Sequence, residues 1–239
     1  MACGFCATGQ AGFERHLTTG EILEQVVNAR RHAGERRLSN IVFMGMGEPL
    51  ANYDRVLEAI RRIIGDMQIG ARHITVSTVG MVPQMLRFAE EGLQVGLAVS
   101  LHAANDDLRT ELVPLNKRHS LDELVAASSN FRDRTGRRVS FEWAMMAGIN
   151  DRESDALELV PLARRAQAHV NLIPLNPTPG WPTTGTDAAG IRAFARVLEA
   201  HDVNVTVRAN RGTDISAACG QLHADHKITP VQLSKTRSN

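Results

Sequence analysis

The sequence predicts an α/β fold of the TIM-barrel type. Three observations predict it. Short β-branched or apolar runs alternate strictly with amphipathic segments, no internal repeat or low-complexity tract interrupts them, and the chemically unusual residues fall where the apolar runs end. Such alternation builds βαβ units with right-handed crossovers around a parallel sheet. The length of 239 residues suits one domain of this kind, because α/β barrels run to about 250 residues.

The first element is a helix over Thr19–His32. Thr18 followed three residues later by Glu21 reads as a capping box, and Ile22, Val26 and Ala29 then share one face. Only a cysteine loop at the start of the chain precedes this helix. A βα unit without its strand suggests a barrel truncated before its first strand. Strands follow at Asn40–Met44, His73–Thr78, Val95–Leu101, Val139–Trp143, Val170–Leu175 and Val203–Arg208, mostly ending in Gly, Pro, Asn or Ser. The apolar character of Ile41–Met44 and Val170–Ile173 suits strands buried on both faces. Helical patterns lie between them at Tyr53–Met67, Val82–Glu91, Leu121–Thr135, Glu153–Gln167 and Asp187–His201.

Composition narrows the function. With 27 Lys+Arg against 26 Asp+Glu, the net charge of +1 excludes a polycationic tail, though a local basic patch can still serve nucleic acid. Of the basic residues 24 are Arg and 3 are Lys, which with abundant Ala reads as coding bias. No apolar run is long enough for a membrane span, so no membrane partner is expected. MACGFCATGQ is neither a signal nor a transit peptide. Three cysteines imply no disulfide scaffold and point to a reducing cytoplasm.

In α/β barrels, ligand-handling residues lie at the C-terminal ends of the strands. There the sequence places Gly47-Glu48-Pro49 after the first strand, Ser77-Thr78 on the second, Ser100-Leu101-His102 on the third and Asn176 after the fifth. Cys3-Gly4-Phe5-Cys6 is a C-x-x-C pair, a pattern shared by redox motifs and zinc half-sites. A cysteine loop, a helix and then a strand ending in G-x-G-E-P is also the opening of a radical S-adenosylmethionine (SAM) enzyme. There, thiolates hold an iron–sulfur cluster.

The resemblance becomes specific along the chain. Met1–Phe13, Met44–Leu50, Ser77–Gly80, Ser100–Ala103, Asn171–Pro177 and Arg211–Leu222 resemble, in order, the RlmN/Cfr family of radical SAM RNA methyltransferases. The resemblance implies a radical SAM partial (βα)6 TIM-type barrel spanning 1–239. It implies a [4Fe–4S] cluster and SAM as cofactors, and methylation of adenosine C2 in 23S rRNA and tRNA; adenosine C8, the Cfr outcome, is the alternative. It implies a monomer that takes electrons from a donor such as flavodoxin or ferredoxin. One departure stands out: the family's first cluster cysteine would lie two residues before Met1, so the chain is expected to lack it, together with the accessory N-terminal domain, an upstream glutamate and a resolving cysteine.

By the same resemblance, Cys3 and Cys6 match cluster ligands, with Phe5 shielding the cluster from water. Gly47 and Glu48 match the loop that receives the SAM ammonium; a carboxylate accepting from an ammonium makes a strong, charge-assisted hydrogen bond. Ser77, Ser100, Leu101 and His102 match SAM contacts, Leu101 as apolar cover, and Asn176 matches a contact on the adenosine side. Cys219 matches the cysteine that becomes S-methylated by a first SAM, before a second SAM is cleaved reductively to a radical that activates that methyl. A covalent carrier answers a chemical problem, since SAM offers an electrophilic methyl to an electrophilic adenine carbon. Without the resolving cysteine the expected product is an unresolved adduct. Arg208, Arg211, Arg36-Arg37 and Arg137-Arg138 are candidates for RNA phosphates. Trp143 and Trp181 are candidates for stacking on a flipped base. Two other readings stay open: a catalytically inactive fragment of such an enzyme, and a zinc module built from Cys3, Cys6, Cys219 and His223.

Overall fold

The computed structural model describes residues 3–176, 181 and 183–208. Six strands, β1 (Ile41–Phe43), β2 (Ile74–Thr78), β3 (Gly96–Ser100), β4 (Val139–Met145), β5 (His169–Pro174) and β6 (Val205–Val207), pair in sequence order. Every pairing is parallel. The helices are α1 (Ala7–Ala11), α2 (Thr19–Ala33), α3 (Tyr53–Gly65), α4 (Val82–Glu90), α5 (Asp106–Leu112), α6 (Leu121–Thr135), α7 (Glu153–Ala166) and α8 (Ala188–Ala200). Arg208, just past β6, donates to Met44 Sδ, just past β1, at 3.7 Å. Among the described residues the two edge strands, β1 and β6, do not pair with each other, so this contact across the mouth marks the sheet as a curved, open barrel.

Strand alternation sorts the two faces. Ile74, Val76, Leu97, Val99, Phe141, Trp143, Val170 and Leu172 face the helices and form one core with residues such as Ile60, Met85, Phe131, Leu159 and Phe194. The inner face is polar: Ser140 Oγ and Asn171 Nδ2 both donate to Glu142 Oε1, and His169 Nε2 meets Thr206 Oγ1 at 2.8 Å. Local chemistry sets the helix ends. Thr18 with Glu21, and Ser120 with Glu123, form complete capping boxes on α2 and α6.

Several expectations need correction. Ile41–Met44 is not buried on both faces, because Val42 points into the open lumen and is 53% exposed. On α2, Ile22, Leu23 and Val26 are buried, while Ala29 is exposed. α1 and α5 were not anticipated: at five and seven residues they are too short to show helical periodicity.

Candidate functional site

The site forms where the strands end. Gly47, exposed at φ 121°, turns the chain after β1 and leads into Glu48. Glu48 Oε1 accepts the Leu50 N–H at 3.0 Å and Oε2 accepts the Val79 N–H at 2.8 Å, tying the end of β1 to the end of β2. Burial raises the Glu48 pKa from the usual carboxylate range, and the two backbone N–H donors oppose that shift. The Thr78 side chain also hydrogen-bonds the carboxylate, which has about four lone-pair sites and so keeps capacity for an incoming ammonium. Ser77 is buried, and its hydroxyl donates to Phe43 O at 2.9 Å, which leaves it free to accept.

At the end of β3 the chain makes a left-handed step: His102 has φ 63° and is buried. A side chain with a Cβ is held in that region only when its surroundings demand it, and here they do. The Ala144 N–H donates to His102 Nδ1 at 3.0 Å, while His102 O accepts from Asn150 Nδ2 at 2.8 Å. Burial, helped by the nearby Arg109 charge, lowers the His102 pKa to about 3. The imidazole is therefore neutral, and with Nδ1 accepting, its proton sits on Nε2. His102 is thus a fixed hydrogen-bond donor rather than an acid–base group. Ser100 is half-buried beside it. Leu101 corrects an expectation. Its side chain is fully buried in the core on the helix side, as strand alternation requires, so only its backbone reaches the site.

The cysteine loop lies over this edge of the mouth. Phe5 meets the His102 ring edge-on at 4.9 Å and Trp181 at 6.2 Å. Trp181 also lies directly over Gly4, where any Cβ would clash with its ring at 2.6 Å. The Cys6 N–H donates to Cys3 O at 3.2 Å. Cys3 is buried and its thiol is pushed up to about 11, by burial first and by Cys6 second. A thiol so placed stays protonated until a metal displaces the proton. The donor set fits two thiolate ligands of an iron–sulfur cluster. Such clusters take further ligation, and the described residues hold no cluster of three or more His, Cys, Asp or Glu suited to a metal.

Two residues that organise the mouth escaped the sequence reading. Asn150, fully buried, donates to both His102 O and Ala144 O and accepts from the Met146 N–H. Arg109, 1% exposed, reaches carbonyls after both β2 and β3. Neither lies in a recognisable motif, and an Arg on a short helix looks like any solvated cation.

Other expected residues fall as follows. Asn176 is half-buried two residues past β5. Arg208 is exposed at the mouth, whereas Arg36-Arg37 and Arg137-Arg138 precede β1 and β4 and so lie at the opposite end of the barrel. They are therefore not placed for a substrate at the mouth. Trp143 cannot stack on a base: it is fully buried against Phe194, with Nε1 donating to Asn150 O. Trp181 packs on the cysteine loop instead. Cys219, Arg211 and His223 lie outside the described residues.

Comparison with known proteins supplies a family context. A family model described as the radical SAM superfamily matches residues 1–160. A Frankia alni protein named probable dual-specificity RNA methyltransferase RlmN is 52% identical over 236 residues, covering 94% of this chain and 56% of that one. A Thermobifida fusca protein of the same name is 53% identical over 235 residues, covering 94% and 64%. The chain thus spans about three-fifths of the length of such relatives. A crystal structure of a radical SAM methyltransferase from Sphaerobacter thermophilus superposes with a TM-score of 0.89 at 52% identity, covering 92% of this chain and 66% of that one. A pyruvate-formate lyase-activating enzyme domain from Bacteroides vulgatus shares the fold at 14% identity, with a TM-score of 0.54.

Proposed function

The chain belongs to the radical SAM superfamily, and from that premise we propose that it is the catalytic barrel of an RlmN-type methyltransferase acting on C2 of adenosine in 23S rRNA and tRNA. The observation that carries the reading is the convergence of the Cys3–Cys6 loop, Glu48 and His102 on one mouth of a parallel barrel. Cys3 and Cys6 would hold part of a [4Fe–4S] cluster, which when bound supplies the electron for reductive cleavage of SAM.

The chain's own residues set the rest. Glu48, already oriented by two backbone N–H groups, presents its remaining lone pairs to the SAM ammonium. Ser77 and Ser100 offer hydroxyls along the inner edge, and His102 offers one Nε2–H donor. Asn176, two residues past β5, would contact the adenosine side of SAM. Phe5, wedged between His102 and Trp181, keeps water from the cysteine loop. Cys219 would carry the methyl group to adenine, and exposed Arg208 would meet an RNA phosphate. By the same family reading it acts in the cytoplasm as a monomer, and its low-potential chemistry suits electrons from flavodoxin or ferredoxin. No helix among the described residues is long and apolar enough to cross a membrane.

The test is anaerobic iron–sulfide reconstitution followed by electron paramagnetic resonance with and without SAM. Incubation with SAM, reductant, and 23S rRNA or tRNA is then followed by mass spectrometry of both RNA and protein. A SAM-perturbed cluster is expected, with adenosine joined at C2 to the methyl carbon on Cys219 as an unresolved adduct. Linkage at C8 would move the chain to the Cfr outcome, and a SAM-perturbed cluster without any methylated or Cys219-linked adenosine would make it an inactive barrel. Stoichiometric zinc in place of iron would overturn the reading.

A further inference from the structure

We propose that Arg109 is a positioning residue for the cofactor: its guanidinium on α5 locks together the two loops that carry Glu48's partner and the Ser100–His102 segment. The proposal rests on the SAM reading above. Arg109 NH2 donates to Val79 O at 2.7 Å and to Ser100 O at 3.2 Å, Nε donates to Leu101 O at 3.2 Å, and NH1 donates to Asn116 Oδ1 at 2.8 Å. Three of these acceptors are carbonyls at or just past the ends of β2 and β3. Val79 gives its N–H to Glu48 while giving its carbonyl to Arg109. One unbroken series of hydrogen bonds therefore joins the carboxylate of the first loop to the backbone beside His102.

The guanidinium is itself fixed from behind. Asn116 Nδ2 donates to Asp106 Oδ1 at 2.8 Å and to Thr110 Oγ1 at 3.0 Å, which sets the amide that receives NH1. Gly80, at φ 112°, lies so close that a Cβ would stand 3.4 Å from Arg109 NH2 and 2.9 Å from Leu124 Cδ1. α5 also buttresses the cysteine loop, because Cys3 packs with Leu112 and Val113 at its C-terminal end. Among the described residues Arg109 makes no salt bridge, although it is almost wholly buried. Burying a charge without a contacting carboxylate is costly, and an apolar side chain of similar volume often serves stability better. What an apolar side chain cannot do is hold carbonyls from two loops in one plane, which a rigid five-donor fork does. The guanidinium thus does for the geometry of the mouth what it does not do for stability.

The experiment is equilibrium dialysis of radiolabelled SAM against the whole protein and its Arg109→Met and Arg109→Lys variants, with thermal unfolding measured in parallel. Arg109→Met is expected to weaken SAM binding tenfold or more in protein that remains folded. Arg109→Lys keeps the charge but lacks the fork, and should recover only part of the loss. A lowered Tm with the SAM Kd of the folded protein unchanged would overturn the proposal, since that is the signature of a merely structural residue. If Arg109→Met does not fold, Asn116→Ala is read instead. It keeps the guanidinium and removes its NH1 anchor, so SAM binding should weaken severalfold, and an unchanged Kd overturns the proposal. Failure of the unaltered protein to bind SAM would instead bring down the cofactor reading, and this inference with it.

Discussion

Replacing Asn150 with alanine tests whether one buried amide holds the mouth in shape. Its Nδ2 donates to His102 O and to Ala144 O, both at 2.8 Å, and its Oδ1 accepts from the Met146 N–H at 2.8 Å. The residue is wholly shielded from solvent, so alanine orphans two carbonyls and one N–H where water does not reach. Each orphaned buried group costs about 1–3 kcal/mol. With partial relaxation, the three together should cost about 3–5 kcal/mol, a large fraction of the ~5–15 kcal/mol that folded domains possess. At about 2–4 °C per kcal/mol for a chain of this size, Tm should fall by about 6 °C or more. Urea unfolding followed by circular dichroism should show a lower midpoint at unchanged slope. Asn150→Asp is a sharper variant, since its carboxylate would face two carbonyl oxygens; it should destabilise at least as much. Losses under about 1 kcal/mol in both variants would refute the keystone role, as three orphaned buried groups cost more than that.

Other outcomes follow from the same geometry. Because His102 is held at about 3, well below its ordinary value of 6.5, the unfolded chain binds more protons than the folded one between those values. The stability His102 contributes is therefore complete above about pH 6.5 and is lost as pH falls toward 3, by an amount on the order of a few kcal/mol; urea midpoints across that range should show this slope, and a His102→Gln variant should flatten it. An imidazole nitrogen resonance showing protonation near pH 6 would contradict the buried, neutral ring. Gly80→Ala should cost about 1–3 kcal/mol from its positive φ and the Leu124 contact, and Tm equal to that of the unaltered protein would refute the close approach. Ser120→Ala should lose about 1 kcal/mol by removing one half of the α6 capping box, measured by urea midpoint, with SAM binding untouched.

Much of the fold was legible because its causes are local. The alternation of apolar strands with amphipathic helices, the capping box at Thr18, and the clustering of Glu48, Ser77, Ser100 and His102 at strand ends follow from periodicity and hydrogen-bond chemistry within a few residues. Periodicity fails for α1 and α5, which are shorter than two full turns of amphipathic pattern. It also misplaced Val42, because an apolar run says nothing about whether the face opposite the helices is filled.

The sequence by itself placed a C-x-x-C pair, a Gly-rich turn ending in Glu and a histidine at a strand end, and the family resemblance made them candidates for holding iron and SAM. What only the tertiary structure decided is how those side chains are held and in which state. His102 is neutral because Ala144, 42 residues away, gives it an N–H and the core excludes water. Leu101 turns its side chain from the site, and Trp143 is locked in the core by Asn150 and Phe194. Arg109 is a clamp only because its acceptors at Val79 and Ser100, distant in sequence, meet at one mouth. Burial and long-range hydrogen bonds depend on which strands become neighbours, and no local window of sequence contains that information.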